Sequence, residues 1–189
     1  MITGIIMASG FSERMGKDKL LLEIDGMKMV ERVIRACVNS SLDRTILVYR
    51  KEEVKRIGEK YRIETIYNPN AHLGQSESMK LGIRKALHSR AYMFLVGDQP
   101  FINSMLIDRL IEEFEKQEHS IIVPSYNGRN GTPTIFSSKH RDELLRVKGD
   151  KGGRDVLKAN IDSVKWVYIE DERLGMDMDS LEDLEGVIL

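Results

Sequence analysis

Short apolar runs alternate with amphipathic stretches through most of the chain. Ile2 to Ala8 is nearly unbroken in its apolar character, the pattern of a buried strand. Val30, Val33, Ile34, Cys37 and Val38 recur at helical spacing and predict a helix over Met29 to Val38. Thr45 to Tyr49 reads as a second strand, Val54, Ile57 and Tyr61 as one face of a second helix, and Ile63 to Tyr67 as a third strand. Ser76 to Leu87 reads as a helix with Ser76 as its N-cap and Met79 or Ile83 facing inward. Tyr92 to Val96, the fourth strand, is apolar enough to be central and covered on both faces, and it ends at Gly97-Asp98-Gln99-Pro100. A helix over Met105 to Phe114 and a strand over Ser120 to Val123 follow.

The rhythm then changes. Tyr126 to Pro133, with Gly128, Gly131 and Pro133, reads as a long loop or hairpin, and Thr134 to Phe136 as a strand out of register with the earlier alternation. Helices are expected around Arg141 to Arg146 and Arg154 to Ala159, a late strand over Val164 to Ile169 and a last helix over Leu181 to Val187. This alternation predicts a single α/β domain over residues 1–189, Rossmann-like and doubly wound, with a mostly parallel sheet. Such sheets bind ligands beyond the C-terminal ends of their strands. Two suggestive segments fall there, the loop after the first strand and Gly97-Asp98 after the fourth.

Composition narrows the picture. At 189 residues, 41% hydrophobic and 31% charged, the chain is an ordered globular domain with a real core. A net charge of -1 argues against general nucleic-acid binding. The lone Cys37 precludes an intrachain disulfide or a cysteine-based metal cluster, so a reducing cytoplasm is the expected location. The opening Met1 to Met7 lacks a basic leader and is too short for a secretory signal, and no apolar stretch approaches the ~20 residues of a membrane span. The four histidines, His72, His88, His119 and His140, lack zinc-ligand spacing, and no Ser–His–Asp constellation is visible. Cys37 and Trp166 read as packing residues.

The loop Ala8-Ser9-Gly10-Phe11-Ser12-Glu13-Arg14-Met15-Gly16-Lys17-Asp18-Lys19 follows a strand directly. Its glycines permit close backbone approach to an anion, and Arg14 and Lys19 add the positive charge a triphosphate needs. Five residues separate Gly10 from Gly16 and Asp18 follows Lys17, so this is neither a Walker loop nor a dinucleotide fingerprint. A solvated surface loop is the plainer reading of any one of these charges. Strand, glycines and cations together favour phosphate binding. Asp98, at a strand's end, suits a Mg²⁺ ligand and a turn cap equally. Asp177 and Asp179 alternate, so an extended backbone turns both to one side, while Asp179 also suits a helix cap.

The loop resembles the L-A-(A/G)-G-x-S-x-R-M-G-x-x-K motif of the molybdenum cofactor nucleotidyltransferases, with Met7 for Leu and Ser9 for Ala or Gly. Gly97-Asp98-Gln99-Pro100, Met176-Asp177-Met178-Asp179-Ser180, Gly74-Gln75-Ser76-Glu77-Ser78, Gly128-Arg129-Asn130-Gly131-Thr132-Pro133 and Gly149-Asp150-Lys151-Gly152-Gly153-Arg154 are similar to further motifs of that family, in its order. Thr132 stands where Asn or His is usual. The resemblance implies a fold of the nucleotide-diphospho-sugar transferase type, with a nucleotide-binding part over about residues 1–125 and an acceptor-side, metal-completing part over about 126–189. It implies a nucleotide site from Ala8, Ser9, Gly10, Ser12, Arg14, Lys19, Gln75, Ser76 and Ser78, and a Mg²⁺ site from Asp98, Asp179 and Asp177. Gly131, Thr132, Pro133, Asp150, Gly152 and Arg154 would line the acceptor side. Arg14, Lys19 and Asp98 would carry catalysis.

The implied reaction transfers CMP from CTP to a molybdopterin-type cofactor and releases pyrophosphate. Gly97-Asp98-Gln99-Pro100 and Gly149-Asp150 favour this cytidylyl branch, and Asp18-Lys19 the guanylyl branch. Transfer to another phosphorylated small molecule, or a non-catalytic cofactor-delivery protein, are the alternatives. The resemblance also points to a molybdenum hydroxylase or its chaperone as the recipient of the product.

Overall fold

The computed structural model describes residues 1–11 and 18–178. The expected last helix, together with Ser12, Arg14, Gly16 and Asp179, lies outside the described residues.

In chain order the elements are β1 (Ile2–Ala8), β2 (Glu23–Ile24), β3 (Met27–Lys28), α1 (Met29–Val38), β4 (Arg44–Tyr49), α2 (Glu52–Lys60), β5 (Glu64–Tyr67), α3 (Gln75–Lys85) and β6 (Ala91–Val96). There follow α4 (Ser104–Glu115), β7 (Ile121–Tyr126), β8 (Arg129–Asn130), β9 (Thr134–Ser137), α5 (Arg141–Arg146), α6 (Arg154–Ala159) and β10 (Val164–Ile169), with short 3₁₀ turns between. The main sheet runs β10-β7-β9-β6-β1-β4-β5, and β8 forms a hairpin with β7. This is an α/β fold with a mostly parallel central sheet, as the alternation predicts.

β1 lies between β4 and β6 and is parallel to both. Its side chains alternate between the faces, Ile2 and Ile6 toward α1 and α4, and Ile5 toward α3. On the first face Val30, Val33, Ile34 and Cys37 of α1 pack with Ile107 and Leu110 of α4. On the other, Met79 and Ile83 of α3 meet Phe94, Phe136 and Val156. Ala8 pairs with Tyr49 and Met7 with Val96, so β1, β4 and β6 end level and release their following loops at one edge.

Two expectations change. Thr134–Ser137 is an interior strand, antiparallel to both β6 and β7. The β7–β8 hairpin reverses the chain, and β9 fills the space between β6 and β7, whose facing edges would otherwise be unpaired. Ser76 is not the cap of α3. Gly74 takes that position with φ 103°, and a Cβ there would lie 2.5 Å from the Gly149 carbonyl carbon. Only glycine fits so close an approach at that φ.

Candidate active site

The loops after β1 and β6 meet where the strands end. Lys19 Nζ lies 2.6 Å from Asp98 Oδ2, and both side chains are about four-fifths buried, with relative exposures of 19% and 22%. Asp98 is not the cap of the following helix. Asn103 fills that role, its side chain accepting from Leu106 N at 2.9 Å. Asp18 caps the 3₁₀ turn Lys19–Leu21 through Leu20 N and pairs with Lys51 at 3.0 Å, just beyond β4. Beside them the Arg50 guanidinium lies 4.2 Å from the centre of the Phe11 ring. The level ends of β1, β4 and β6 thus gather Lys19, Arg50, Lys51 and Asp98 at one edge.

Ser9 and Ser78 come together inside the protein. Their hydroxyls lie 2.5 Å apart, and Asn68 Nδ2 donates to both, at 2.9 and 3.1 Å. All three residues are buried. The network ties the start of the loop after β1 to the first turns of α3. Ser76 is also fully buried, and its Oγ has no hydrogen-bond partner. Ala8 is buried at the end of β1, while Gly10 is exposed. Asn68 has no counterpart in the sequence reading, although its place just beyond β5 at the same sheet edge is the available signal.

The loop that carries Asp150 closes onto the same edge. Asp150 Oδ1 accepts from Gln75 N at 3.0 Å, so a carboxylate from a distant loop satisfies the first turn of α3. Thr132 and Pro133 are joined by a cis peptide, and Pro133 is buried. The Tyr126 hydroxyl donates to the Thr132 carbonyl at 2.8 Å. Burial, reinforced by the Asp177 charge, pushes the Tyr126 phenol well above its ordinary pKa. Gln99, quoted in a motif but given no role by sequence, links Thr132 to Asp177. Its Oε1 accepts from Thr132 Oγ1 at 2.6 Å, and its Nε2 donates to Asp177 Oδ1 at 2.8 Å.

Residues Met176–Met178 cross the Asp98 loop as a strap. Met178 N donates to the Asp98 carbonyl at 3.1 Å, and the buried Met178 packs with Ile24 and Met29. Asp98 and Asp177 thereby line one cleft of about 960 Å³, with Gln75, Gly131, Thr132, Gly152 and Arg154 on its walls. Phe94, Phe136, Tyr126 and Met79 supply its apolar part, and Arg129 and Lys151, quoted in motifs without a role of their own, add positive charge together with Lys158.

Among the described residues no cluster of three His, Cys, Asp or Glu side chains is suited to hold a metal. The carboxylates of Asp98 and Asp177, which line one cleft, nonetheless fit Mg²⁺ or Mn²⁺, which take hard oxygen ligands and complete their shells with phosphates and water.

A Ser–His–Glu line also exists, built from residues that the sequence does not bring together. Ser120 Oγ lies 2.9 Å from His140 Nε2, and His140 Nδ1 lies 3.2 Å from Glu143. Ser120 and His140 are buried and lie outside the cleft, so this line joins β7 to the segment before α5 and serves packing. No described helix is long and apolar enough to cross a membrane.

Residues 4–164 match the family model described as the MobA-like NTP transferase domain, and the chain belongs to that family. It is 29% identical over 169 residues to the purine catabolism protein PucB of Bacillus subtilis, covering 84% of this chain and 81% of that protein. It is 28% identical over 181 residues to a probable molybdenum cofactor guanylyltransferase of Thermococcus sibiricus, covering 92% and 87%. The fold matches Rv0371c from Mycobacterium tuberculosis with a TM-score of 0.83 at 20% identity, covering 99% of this chain and 97% of that one. A manganese complex of Rv0371c matches with a TM-score of 0.81 at 20% identity, covering 98% and 97%.

Proposed function

We propose that this nucleotidyltransferase moves GMP from GTP to the phosphate of a molybdopterin-type acceptor and releases pyrophosphate. The observation that carries the reading is the Lys19–Asp98 pair, at 2.6 Å, standing at the end of the cleft that Asp177 also lines. A cation from the phosphate loop and two carboxylates are the groups that transfer to a phosphate acceptor requires. The name of the Thermococcus sibiricus relative supports GTP as donor and molybdenum cofactor as acceptor. CTP is the second reading, favoured by the Gly97-Asp98-Gln99-Pro100 and Gly149-Asp150 motifs.

The acceptor's phosphate oxygen attacks the α-phosphorus as the bond to pyrophosphate breaks, so no Ser, Cys or His nucleophile is needed. Catalysis then rests on positioning and charge stabilisation. Asp98 and Asp177, with Asp179 as the third expected ligand, would hold a Mg²⁺ ion that supplies Lewis-acid neutralisation of the phosphates. The Mn²⁺ complex of Rv0371c supports a divalent ion. Lys19 and Arg14 would hold the charge that grows on pyrophosphate. Gln75, at the start of α3, and the Ser9–Asn68–Ser78 network would set the nucleotide's position. Gly131, Thr132, Gly152 and Arg154 would receive the acceptor, and the apolar part of the cleft suits a flat ring system.

The test is product identification. Purified protein is incubated with Mg²⁺, molybdopterin and each of the four ribonucleoside triphosphates, and the products are read by mass spectrometry. A guanine dinucleotide with stoichiometric pyrophosphate supports the proposal, and a cytosine dinucleotide replaces the donor. Absence of both products and pyrophosphate favours a cofactor-delivery protein.

A further inference from the structure

We infer that Gln99 is a positioning residue that couples the acceptor loop to Asp177. The directions of its hydrogen bonds are fixed by chemistry. Asp177 Oδ1, as carboxylate, and the Gly175 carbonyl only accept, so the amide nitrogen must face them, at 2.8 and 3.3 Å. The amide oxygen then faces Thr132, whose hydroxyl must donate, at 2.6 Å. The Thr132 carbonyl in turn accepts from the buried Tyr126 hydroxyl. Thr132 thus accepts from Tyr126 at its carbonyl and donates through its hydroxyl to Gln99, which donates in turn to Asp177.

The surroundings hold this chain in one arrangement. Gln99 and Tyr126 are each at most 4% exposed, so water competes little for their polar groups. The strap has no slack against Tyr126, because a Cβ at Gly175 would lie 2.5 Å from its ring carbons. Gly131, next to Thr132, approaches the same ring, with a Cβ there at 2.8 Å. A shift of the acceptor loop is therefore passed to the strap both by contact through Tyr126 and by hydrogen bonds through Gln99. Thr132, which departs from the related motif, is suited to the link because its hydroxyl serves as the donor that Gln99 needs.

The inference rests on the proposed role of Asp177 as a metal ligand. Groups that orient metal ligands contribute to affinity without touching the ion. The test is Mn²⁺ binding in the presence of GTP, repeated with CTP, followed by electron paramagnetic resonance on wild type, Gln99→Leu, Thr132→Val, Thr132→Ser and Asp177→Asn. Asp177→Asn, Gln99→Leu and Thr132→Val should each weaken Mn²⁺ binding about tenfold or more, and Thr132→Ser should restore it. Near-wild-type binding in Thr132→Val, with binding lost in Asp177→Asn, would overturn the coupling and leave the metal role of Asp177 standing. Unchanged binding in Asp177→Asn would overturn both.

Discussion

Lys19 Nζ and Asp98 Oδ2 meet at 2.6 Å, joining the loop after β1 to the loop after β6 at the edge where three parallel strands end. In the proposed site the ammonium would face phosphate oxygens and the carboxylate would hold the metal ion. Lys19→Ala is expected to lower turnover by about 10²-fold, the scale of losing one preorganised donor. Asp98→Ala should abolish metal-dependent turnover. Pyrophosphate release under saturating nucleotide checks both, and wild-type rates in either variant would remove that residue from the site.

The Asn68 network has a different signature. Asn68→Ala leaves Ser9 and Ser78 bonded only to each other in a buried place, with an expected cost of about 1–3 kcal/mol. Ser9 opens the loop proposed to bind phosphate, so the Michaelis constant for nucleotide should rise as well. Thermal unfolding and initial rates measured together check this. The expected destabilisation with an unchanged Michaelis constant would confine Asn68 to the core.

Gly175→Ala places a methyl group 2.5 Å from carbons of the Tyr126 ring, which is itself buried. Overpacking of this kind costs about 1–3 kcal/mol. The strap is expected to move away from Asp98, so metal-dependent turnover falls further than stability alone explains. Turnover at the wild-type level would show that the strap does not serve the site.

Tyr126 gives a pH prediction. Its phenol pKa is raised in the folded protein, by burial first and by Asp177 second. The unfolded chain loses this proton near pH ~10 while the folded protein keeps it, so stability falls as pH rises through that range. Below it the contribution is fully present. Denaturant unfolding of wild type and Tyr126→Phe between pH 8 and 11 checks the sign, and the difference between them should shrink toward the alkaline end. A constant difference would contradict it.

Much of the site is legible in the sequence because it obeys a local rule. Ala8 and Val96 end apolar runs, and in a parallel sheet ligands bind beyond the ends of such runs, which is how the loop after β1 and Asp98 stand out as candidates. The boundaries of β1 and α1 follow from periodicity in the same way. Gln99 and Asn68 escape this reading because their meaning lies in partners far along the chain, Asp177 at a separation of 78 residues and Ser9 at 59. The pattern of β9 does not reveal its antiparallel placement, since a four-residue apolar strand looks alike in either direction. Ser76 fits the N-cap pattern, but the cap is decided by the close approach of Gly149 to Gly74, a tertiary contact.

Nucleotide binding at the Lys19–Asp98 edge is expected to depend on a divalent metal. Isothermal titration of the purified protein with GTP, CTP, ATP and UTP, each with and without Mg²⁺, measures this. Binding should require Mg²⁺, be tightest for GTP, and be lost in Asp98→Ala. Failure to bind any of the four nucleotides with Mg²⁺ present, or binding indifferent to the metal and to Asp98, would contradict it.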